Sequence, residues 1–354
     1  MNSAASRAPP APVQELAAGH AGAVPTRYLA RAQETDAAAG GAAPVTVVDL
    51  GRLRGGGGAA AEEAAKLRLA LESWGLVLVA NHGVEASLMD AMRGAAREFF
   101  RRPVEEKLKY SNLVDGWRFQ LQGYGNDRVG SEEQVLDWSD RLYLKVEPHD
   151  QRDFALWPTN PKSFRDVLDE FTAGCTRMKN LLLPEMAKLL GLDDDYFHKQ
   201  FDNKGDTYAR FSYYPPCPRP DLVFGLKPHS DSTTISILMV DNSVDGLQVL
   251  RDGIWYDVPT RPHTFLINLG DQMEVMSNGI FKSPVHRVVT NAHKERLSVA
   301  VFYSIDPDKA IGPADELVNE KRPALYRKVK SKDYTTEFYE YFKDGRRVLD
   351  IIKI

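Results

Sequence analysis

The sequence contains little cysteine and no long hydrophobic run. Its 354 residues include only two cysteines, Cys175 and Cys217, which excludes the disulfide framework that stabilises many small secreted proteins. No apolar stretch approaches the roughly 20 residues that a membrane-spanning helix needs. We therefore expect a cytoplasmic protein that has no membrane partner.

An excess of charge of one sign is also missing. The chain has 45 basic and 49 acidic residues, interspersed along its length, and a formal net charge of −4. A protein that binds nucleic acid usually presents a basic face, which this distribution does not provide. We expect no nucleic-acid partner and predict that the chain acts as a monomer on a small molecule.

The N-terminal segment, residues 1–43, is rich in alanine, proline and glycine and lacks the apolar core of a secretory signal. Such a segment buries too little apolar surface to offset the entropy cost of ordering, so we predict a mobile N-terminal arm. The four glycines at 55–58 are also predicted to form a flexible loop, because no Gly-Lys-Ser/Thr ending of a phosphate-binding loop follows them.

The rest of the chain has the periodicities of one structural unit. They predict three helices and two short strands, at about 60–73, 87–100 and 163–190 and at 45–50 and 76–80. From 207 to 304, short strands alternate with turn signals such as Asn278-Gly279, a pattern typical of an antiparallel double sheet. We predict that residues 44–200 form a helical and strand region packed on a core of residues 201–354, with a C-terminal helix near 334–342.

Three potential metal ligands occur in strand-like surroundings. His229 and Asp231 are two residues apart, and residues i and i+2 of an extended segment point to the same face, so both can reach one ion. His286 supplies a third ligand from a distant strand. Two imidazoles and one carboxylate leave coordination positions open, which is the ligand set of non-haem Fe(II) oxygenases rather than of a closed structural zinc site.

Further motifs accompany these ligands. They occupy residues 74–75 (WG), 81–84 (NHGV), 122–125 (QGYG), 212–218 (SYYPPCP), 268–271 (NLGD), 296–298 (RLS) and 349–354 (LDIIKI). Together with the His-x-Asp and the distal His, they make the chain from about Pro44 to Ile354 resemble the plant soluble Fe(II)- and 2-oxoglutarate-dependent dioxygenases. Within that family, residues 137–142, 209–211 and 281–287 look most like the cereal oxygenases known for inactivating triketone herbicides.

The resemblance implies a mainly β fold with flanking helices, built on a double-stranded β-helix, a jelly-roll relative, whose two sheets enclose the metal. It also implies Fe(II) as the cofactor, 2-oxoglutarate and O2 as co-substrates, and assays that contain ascorbate. The planar guanidinium of Arg296 suits the far carboxylate of 2-oxoglutarate, with Ser298 on the same strand face and Tyr214 assisting. The family usually has Asn where Ser212 stands, so we assign Ser212 no co-substrate contact.

The same resemblance places the substrate on one side of the iron. The residues expected to bound that side are Tyr124, Leu142, Arg210, Phe302, Phe338, Tyr339 and Phe342. Tyr124 has the alternative of packing in the barrel wall. Arg210 either anchors an acidic or enolate-bearing substrate or forms a salt bridge with Asp140 or another carboxylate. The C-terminal aromatic residues either close over the pocket mouth or only dock their helix on the core.

The expected activity is hydroxylation coupled to the decarboxylation of 2-oxoglutarate. Its expected substrate is a small cyclic or hormone-like carbonyl or carboxylate compound. Xenobiotics such as triketone herbicides are also expected among its substrates. A flavonoid-, gibberellin- or auxin-type oxygenase is the alternative among enzymes. A non-catalytic protein that keeps the barrel as a small-ligand site is the alternative of another class. One scaffold hosts many reactions, so the sequence does not name the natural substrate.

Overall fold

Two β-sheets packed face to face, with helices against the outer side of the larger sheet, form the fold. A computed structural model describes residues 10–19, 23–30, 39–131, 133–202, 204–241, 243–342 and 346–354. Within those residues the larger sheet has eight strands and the smaller sheet has five. This architecture confirms the predicted mainly β fold with flanking helices and a double-stranded β-helix core.

The larger sheet combines strands from both halves of the chain. In spatial order they are β2 (Val47–Asp49), β3 (Leu76–Ala80), β13 (Phe265–Leu269), β10 (Ile235–Val240), β15 (Arg296–Tyr303), β8 (Thr207–Tyr214), β7 (Asp140–Glu147) and β6 (Gly123–Gly125). Neighbouring strands are antiparallel except for the parallel pair β2 and β3. Residues 44–200 and 201–354 each contribute four of these strands, so the two regions build one sheet.

The smaller sheet carries the strands on either side of the candidate metal ligands. Its spatial order is β1 (Ala39–Ala42), β12 (Ile254–Asp257), β11 (Leu247–Arg251), β14 (His286–Val289) and β9 (Phe224–His229). Two further pairs of short strands lie outside both sheets, β4 (Leu113–Val114) with β5 (Arg118–Phe119) and β16 (Ala310–Ile311) with β17 (Val329–Lys330).

Strand β3 shows how the larger sheet divides the core. Leu76 and Leu78 pack between the two sheets, whereas Val77 and Val79 pack against the helices. Because both faces are covered, the strand is a continuous apolar run without polar alternation. The side chains that can reach a site between the sheets are therefore those of every second residue, on the inner face of each strand.

Ten α-helices occur within the described residues. They are α1 (Val13–Gly19), α2 (Leu50–Arg54), α3 (Gly57–Ser73), α4 (Ala86–Phe100), α5 (Val104–Lys107), α6 (Phe164–Leu190), α7 (Tyr196–Phe201), α8 (Asp271–Met276), α9 (Ser331–Phe342) and α10 (Leu349–Ile352). The helices predicted from periodicity are α3, α4, α6 and α9. The glycine run is only partly a loop, because its last two residues open α3. In the described part of the chain, no helix combines the length and apolarity needed to cross a bilayer.

Part of the N-terminal arm is docked on the fold. Helix α1 begins where its first two backbone N–H groups donate to the buried carboxylate of Asp140, at 2.7 and 2.9 Å. Val13 and Tyr28 are buried in a small apolar cluster with Trp138. Residues 10–19 and 23–30 of the predicted mobile arm thus have defined contacts with the fold, and residues 39–42 of the same arm form strand β1. Residues 1–9, 20–22 and 31–38 lie outside the described part of the chain.

Candidate metal centre and the adjoining cavity

His229 and His286 face each other across two neighbouring strands. His229 ends β9, His286 begins β14, and the two are direct register partners with ring centroids 4.3 Å apart. Each Nδ1–H donates to a backbone carbonyl, that of Lys227 at 2.8 Å and that of Pro284 at 3.1 Å. These bonds fix the tautomer and leave Nε2 of each ring as the ligand atom.

Asp231 completes the cluster from the segment after β9. Its Oδ1 lies 3.8 Å from His229 Nε2 and 3.6 Å from His286 Nε2, and the three ligand atoms all lie within 4.8 Å of one another. Its Oδ2 accepts a hydrogen bond from Ser236 Oγ at 2.7 Å. Burial, followed by the neighbouring His286, holds the pKa of His229 well below its usual range. This shift favours the neutral imidazole of His229, which is the form that binds a metal.

Close backbone contact supports the segment that carries Asp231. The N–H of Asp271, the first residue of α8, donates to the carbonyl of Asp231 at 2.7 Å. The residue before it, Gly270, lies so close that a Cβ there would meet Thr233 O at 2.0 Å. A larger residue at 270 would displace this segment, which explains the glycine in the Asn-Leu-Gly-Asp motif.

The three ligands have the chemistry of a mononuclear non-haem iron site. Two imidazoles and one carboxylate converge from one side, and this set suits Fe(II) with coordination positions left for other molecules. The cluster thus defines a class of protein, the iron-dependent oxygenases that use two histidines and one carboxylate.

A buried cation lies on the opposite sheet. Arg296 begins β15, pairs with Tyr214 of β8, and has its guanidinium 5.3 Å from the Tyr214 ring centroid. Arg296 is 3% exposed, and its Nε and Nη1 have no hydrogen-bond partner within the described residues. Burial lowers its pKa from the usual arginine value. A buried guanidinium with unused donors fits a bound molecule that brings acceptor oxygens, as a carboxylate does.

Ser298 lies two residues further along β15, on the strand face that Arg296 shares. Leu297, Val299 and Val301 pack on the helix side, so the alternate residues face the space between the sheets. Ser298 pairs with Ser212 of β8. The structure thus brings Tyr214, Arg296 and Ser298 together on the inner face of the larger sheet.

An open cavity with an empty volume of about 710 Å³ adjoins His229 and Asp231. Five of the seven residues expected at the substrate side line it, namely Arg210, Phe302, Phe338, Tyr339 and Phe342. The ring of Phe342 stands edge-on to His229 with centroids 5.3 Å apart. The C-terminal aromatic residues thus form a cavity wall as well as docking their helix.

Tyr124 and Leu142 are a correction to the expected substrate side. They pair with each other across β6 and β7, are fully buried, and pack in the helix-side core. The Tyr124 ring contacts Phe99 of α4 at 5.8 Å. Tyr124 thus takes its alternative, packing in the barrel wall. The cavity is lined instead by Arg141 and Tyr143, which lie on the opposite face of β7 from Leu142.

Arg210 forms a salt bridge with Asp127 and not with Asp140. Its Nη1 and Nη2 donate to the two oxygens of Asp127 at 3.1 and 2.7 Å, and its Nε donates to Ser212 Oγ at 3.0 Å. Asp140 caps helix α1, as described above. The alternative of a salt bridge to another carboxylate is thus the arrangement that the structure has.

Arg141 shares the same carboxylate. Its Nε lies 2.6 Å from Asp127 Oδ1, and its Nη1 donates to the carbonyl of Leu121 at 2.9 Å. Its Nη2 is buried and has no hydrogen-bond partner within the described residues. Burial would raise the pKa of Asp127, but Arg210 and Arg141 outweigh it and hold that pKa well below its usual range. Two guanidinium groups on one carboxylate leave this cluster of three side chains with one excess positive charge.

Comparisons with known proteins agree with this class. Residues 206–305 match the model of the 2OG-Fe(II) oxygenase superfamily, and residues 45–160 match that of the non-haem dioxygenase in morphine synthesis N-terminal region. Jasmonate-induced oxygenase 2 of Arabidopsis thaliana is 39% identical, covering 89% of this chain and 85% of the relative. Oxoglutarate-dependent flavonoid 7-O-demethylase 1 of Ocimum basilicum is 37% identical, covering 97% of this chain and 90% of the relative.

A crystal structure of JOX2 in complex with 2OG, Fe and JA is similar to this fold throughout. Its TM-score is 0.85 at 36% identity, and the match covers 94% of both chains. The chain belongs to the plant 2OG-Fe(II) oxygenase family. It is therefore an enzyme, a dioxygenase that uses Fe(II), 2-oxoglutarate and O2. The alternative of a non-catalytic ligand-binding protein is not favoured.

Proposed function

We propose that this oxygenase hydroxylates a small cyclic or hormone-like compound that carries one negative charge, as a carboxylate or as the enolate of a carbonyl compound. The observation that carries the proposal is the unpartnered Nη2 of Arg141 beside a cavity that is walled in part by aromatic side chains. A buried donor without an acceptor costs about 1–3 kcal/mol, more when charged, and an anionic substrate would remove that cost.

In this proposal His229, Asp231 and His286 hold the iron. Bound Fe(II) supplies the oxidative decarboxylation of 2-oxoglutarate to succinate and CO2 that drives hydroxylation of the substrate. The carbonyl partners of the two histidines keep both Nε2 atoms directed at the ion, and Ser236 orients the carboxylate of Asp231.

The co-substrate's far carboxylate is assigned to Arg296, Ser298 and Tyr214. The unused Nε and Nη1 of Arg296 are donors that carboxylate oxygens can accept from. The hydroxyl of Ser298 adds a further donor on the same strand face. Because Arg296 is buried, water does not compete for these donors.

The substrate is assigned to the cavity that adjoins His229. Phe302, Phe338 and Phe342 supply apolar walls for a ring and exclude water from the reacting carbon. Arg141 binds the anionic group directly. Arg210 has its three nitrogens engaged with Asp127 and Ser212, so its part is to hold Asp127 in place.

The relatives suggest the first compounds to try. One similar structure holds JA, and one relative is called a flavonoid 7-O-demethylase. Triketone herbicides belong in the same panel, because the enolate of a 1,3-dicarbonyl carries the charge that Arg141 requires. Flavonoid, gibberellin and auxin substrates represent the alternative oxygenase types.

The test measures succinate release and a mass gain of one oxygen over this panel, with wild type and Arg141→Gln side by side. We expect the best substrate to be an anion, and its KM to rise in Arg141→Gln while 2-oxoglutarate turnover without substrate stays near wild type. Lys145→Met is the matched control, since Lys145 lies on the same strand face but forms an ion pair with Asp206 at 2.7 Å. A neutral best substrate, or an unchanged KM in Arg141→Gln, would contradict the proposal.

We also propose that the enzyme is a monomer in the cytoplasm. Light scattering on the purified chain and imaging of a fluorescent fusion test these two points.

A further inference from the structure

Arg347 joins the C-terminal segment to both segments that carry the metal ligands. Its Nε donates to Ser230 Oγ at 3.2 Å, and Ser230 lies between the first two ligands. Its Nη2 donates to the carbonyl of Ser283 at 2.7 Å, three residues before the third ligand. One guanidinium therefore bridges the backbone regions on which the geometry of the metal site depends.

Asp271 joins the first ligand segment to helix α9. Its carboxylate is fully buried, and its Oδ2 accepts from Ser230 Oγ at 3.1 Å and from Tyr334 Oη at 2.7 Å. Its backbone N–H donates to the carbonyl of Asp231. Arg347 Nη2 lies 3.5 Å from Asp271 Oδ1, so the two residues belong to one polar network.

The helix in this network is also a wall of the substrate cavity. Tyr334 lies in the first turn of α9, while Phe338, Tyr339 and Phe342 line the cavity further along the same helix. A molecule in the cavity thus contacts the helix that Tyr334 joins, through Asp271, to the first ligand segment. Arg347 follows that helix in the chain and contacts both ligand segments. Displacing α9 would remove the hydrogen bond that Tyr334 donates to the buried carboxylate of Asp271, which is costly.

We propose that Arg347 and Asp271 are positioning residues that couple the seating of the C-terminal helix to the geometry of the metal ligands. The inference rests on the proposed function, because it takes the three ligands to be the iron site. In this arrangement the metal is held most firmly when α9 is seated against the cavity, and contacts made by a substrate with α9 reinforce the same geometry.

The test uses Co(II), whose visible absorption reports ligand geometry, titrated into the metal-free full-length protein. Arg347→Met removes the donors and keeps an apolar chain of similar length. We expect Co(II) affinity to fall about tenfold, as for loss of a group that orients metal ligands, and the absorption bands to change. Arg347→Lys should recover part of the affinity, since one ammonium group can reach one of the two segments.

Arg346→Met is the matched control. Arg346 is the neighbouring residue, is exposed, and lies over the Tyr341 ring at 4.7 Å. We expect its Co(II) affinity and spectrum to equal those of wild type. The same titrations, repeated with a panel substrate present, should show a gain in affinity for wild type that Arg347→Met lacks.

The outcomes separate the two proposals. If wild type binds Co(II) no better than His286→Ala, the metal assignment fails and the coupling fails with it. If wild type binds Co(II) and Arg347→Met matches it in affinity and spectrum, only the coupling is overturned. If Arg347→Met does not fold, Tyr334→Phe decides, because it removes one hydroxyl from the network and carries the same expectation.

Discussion

Leu142 and Tyr143 are consecutive residues of β7, yet their side chains lie on opposite faces of the eight-stranded sheet. Leu142 is fully buried in the helix-side core, and Tyr143 lines the cavity beside the metal ligands. A strand alternates its side chains between two faces, so neighbouring residues can have unrelated tasks. Here one residue contributes to stability and the next contributes to the site.

Substitutions at these two positions should separate those tasks. Leu142→Ala creates a cavity in the core, and we expect a loss of about 2–5 kcal/mol in the free energy of unfolding with KM nearly unchanged. Tyr143→Phe removes a hydroxyl at the cavity and should alter KM with little change in stability. Denaturant unfolding and steady-state kinetics on both variants provide the measurement. An altered KM in Leu142→Ala at unchanged stability would contradict the facial assignment.

The metal ligands should be individually essential. His229→Ala, Asp231→Ala and His286→Ala each leave two ligands, and we expect 2-oxoglutarate decarboxylation to fall to background in all three. Treatment of wild type with a chelator should abolish activity, and added Fe(II) should restore it. His293→Ala, at an exposed histidine, is the control and should retain wild-type turnover. Wild-type decarboxylation rates in all three ligand variants would refute the metal assignment.

Arg296→Lys should weaken 2-oxoglutarate binding. An ammonium group cannot reproduce the two parallel donors of a guanidinium, and we expect a loss of about 1–3 kcal/mol in binding free energy. Calorimetric titration of the metal-loaded protein measures it directly. Arg219→Lys, at an exposed arginine paired with Asp221, should leave the affinity unchanged. Equal affinity in Arg296→Lys and wild type would reject the role given to Arg296.

Gly270→Ala should disturb the segment that carries Asp231. The backbone at 270 has φ −101°, which any residue adopts, so the conflict is the 2.0 Å approach of a Cβ to Thr233 O. We expect a destabilisation of about 1–3 kcal/mol or more from this overpacking, together with weaker metal binding. Gly94→Ala is the control, because Gly94 lies in helix α4 with nothing within 4 Å, and it should stabilise the protein by about 0.5–1 kcal/mol. Thermal unfolding and Co(II) titration compare the two; a stable Gly270→Ala with normal metal binding would show that the segment tolerates the shift.

The parts of this protein that sequence patterns predict are those set by local spacing. The His-x-Asp triplet, the helices at α4 and α6 and the strand at β3 each follow from residues within a few positions of one another. Leu142, Leu144 and Val146 also alternate along β7. Because both faces of the larger sheet are buried, alternation alone does not show which face meets the helices and which meets the site.

The features that escaped prediction depend on residues far apart in sequence. Asp127 joins Arg210 across 83 positions, and Asp140 caps the N-terminal helix across 127. The composition of that helix, rich in alanine, gave no sign of such a cap. Arg347 is one basic residue among many in the sequence, and only its contacts with Ser230, Ser283 and Asp271 distinguish it.

The metal ligands and the co-substrate arginine lie on different sheets, and this has a consequence for which keto acid the enzyme can use. His229 and His286 lie on the five-stranded sheet, while Arg296 lies on the inner face of the eight-stranded sheet. Packed sheets are about 10 Å apart, so in the proposed assignment a co-substrate must reach from a metal fixed on one layer to a cation fixed on the other. Because both anchors are fixed, we expect four-carbon oxaloacetate and six-carbon 2-oxoadipate to bind less well than five-carbon 2-oxoglutarate. The spacing of the two sheets thus selects the co-substrate by the number of carbons between its two carboxylates. Charge does not distinguish the three acids, because all of them carry two carboxylates.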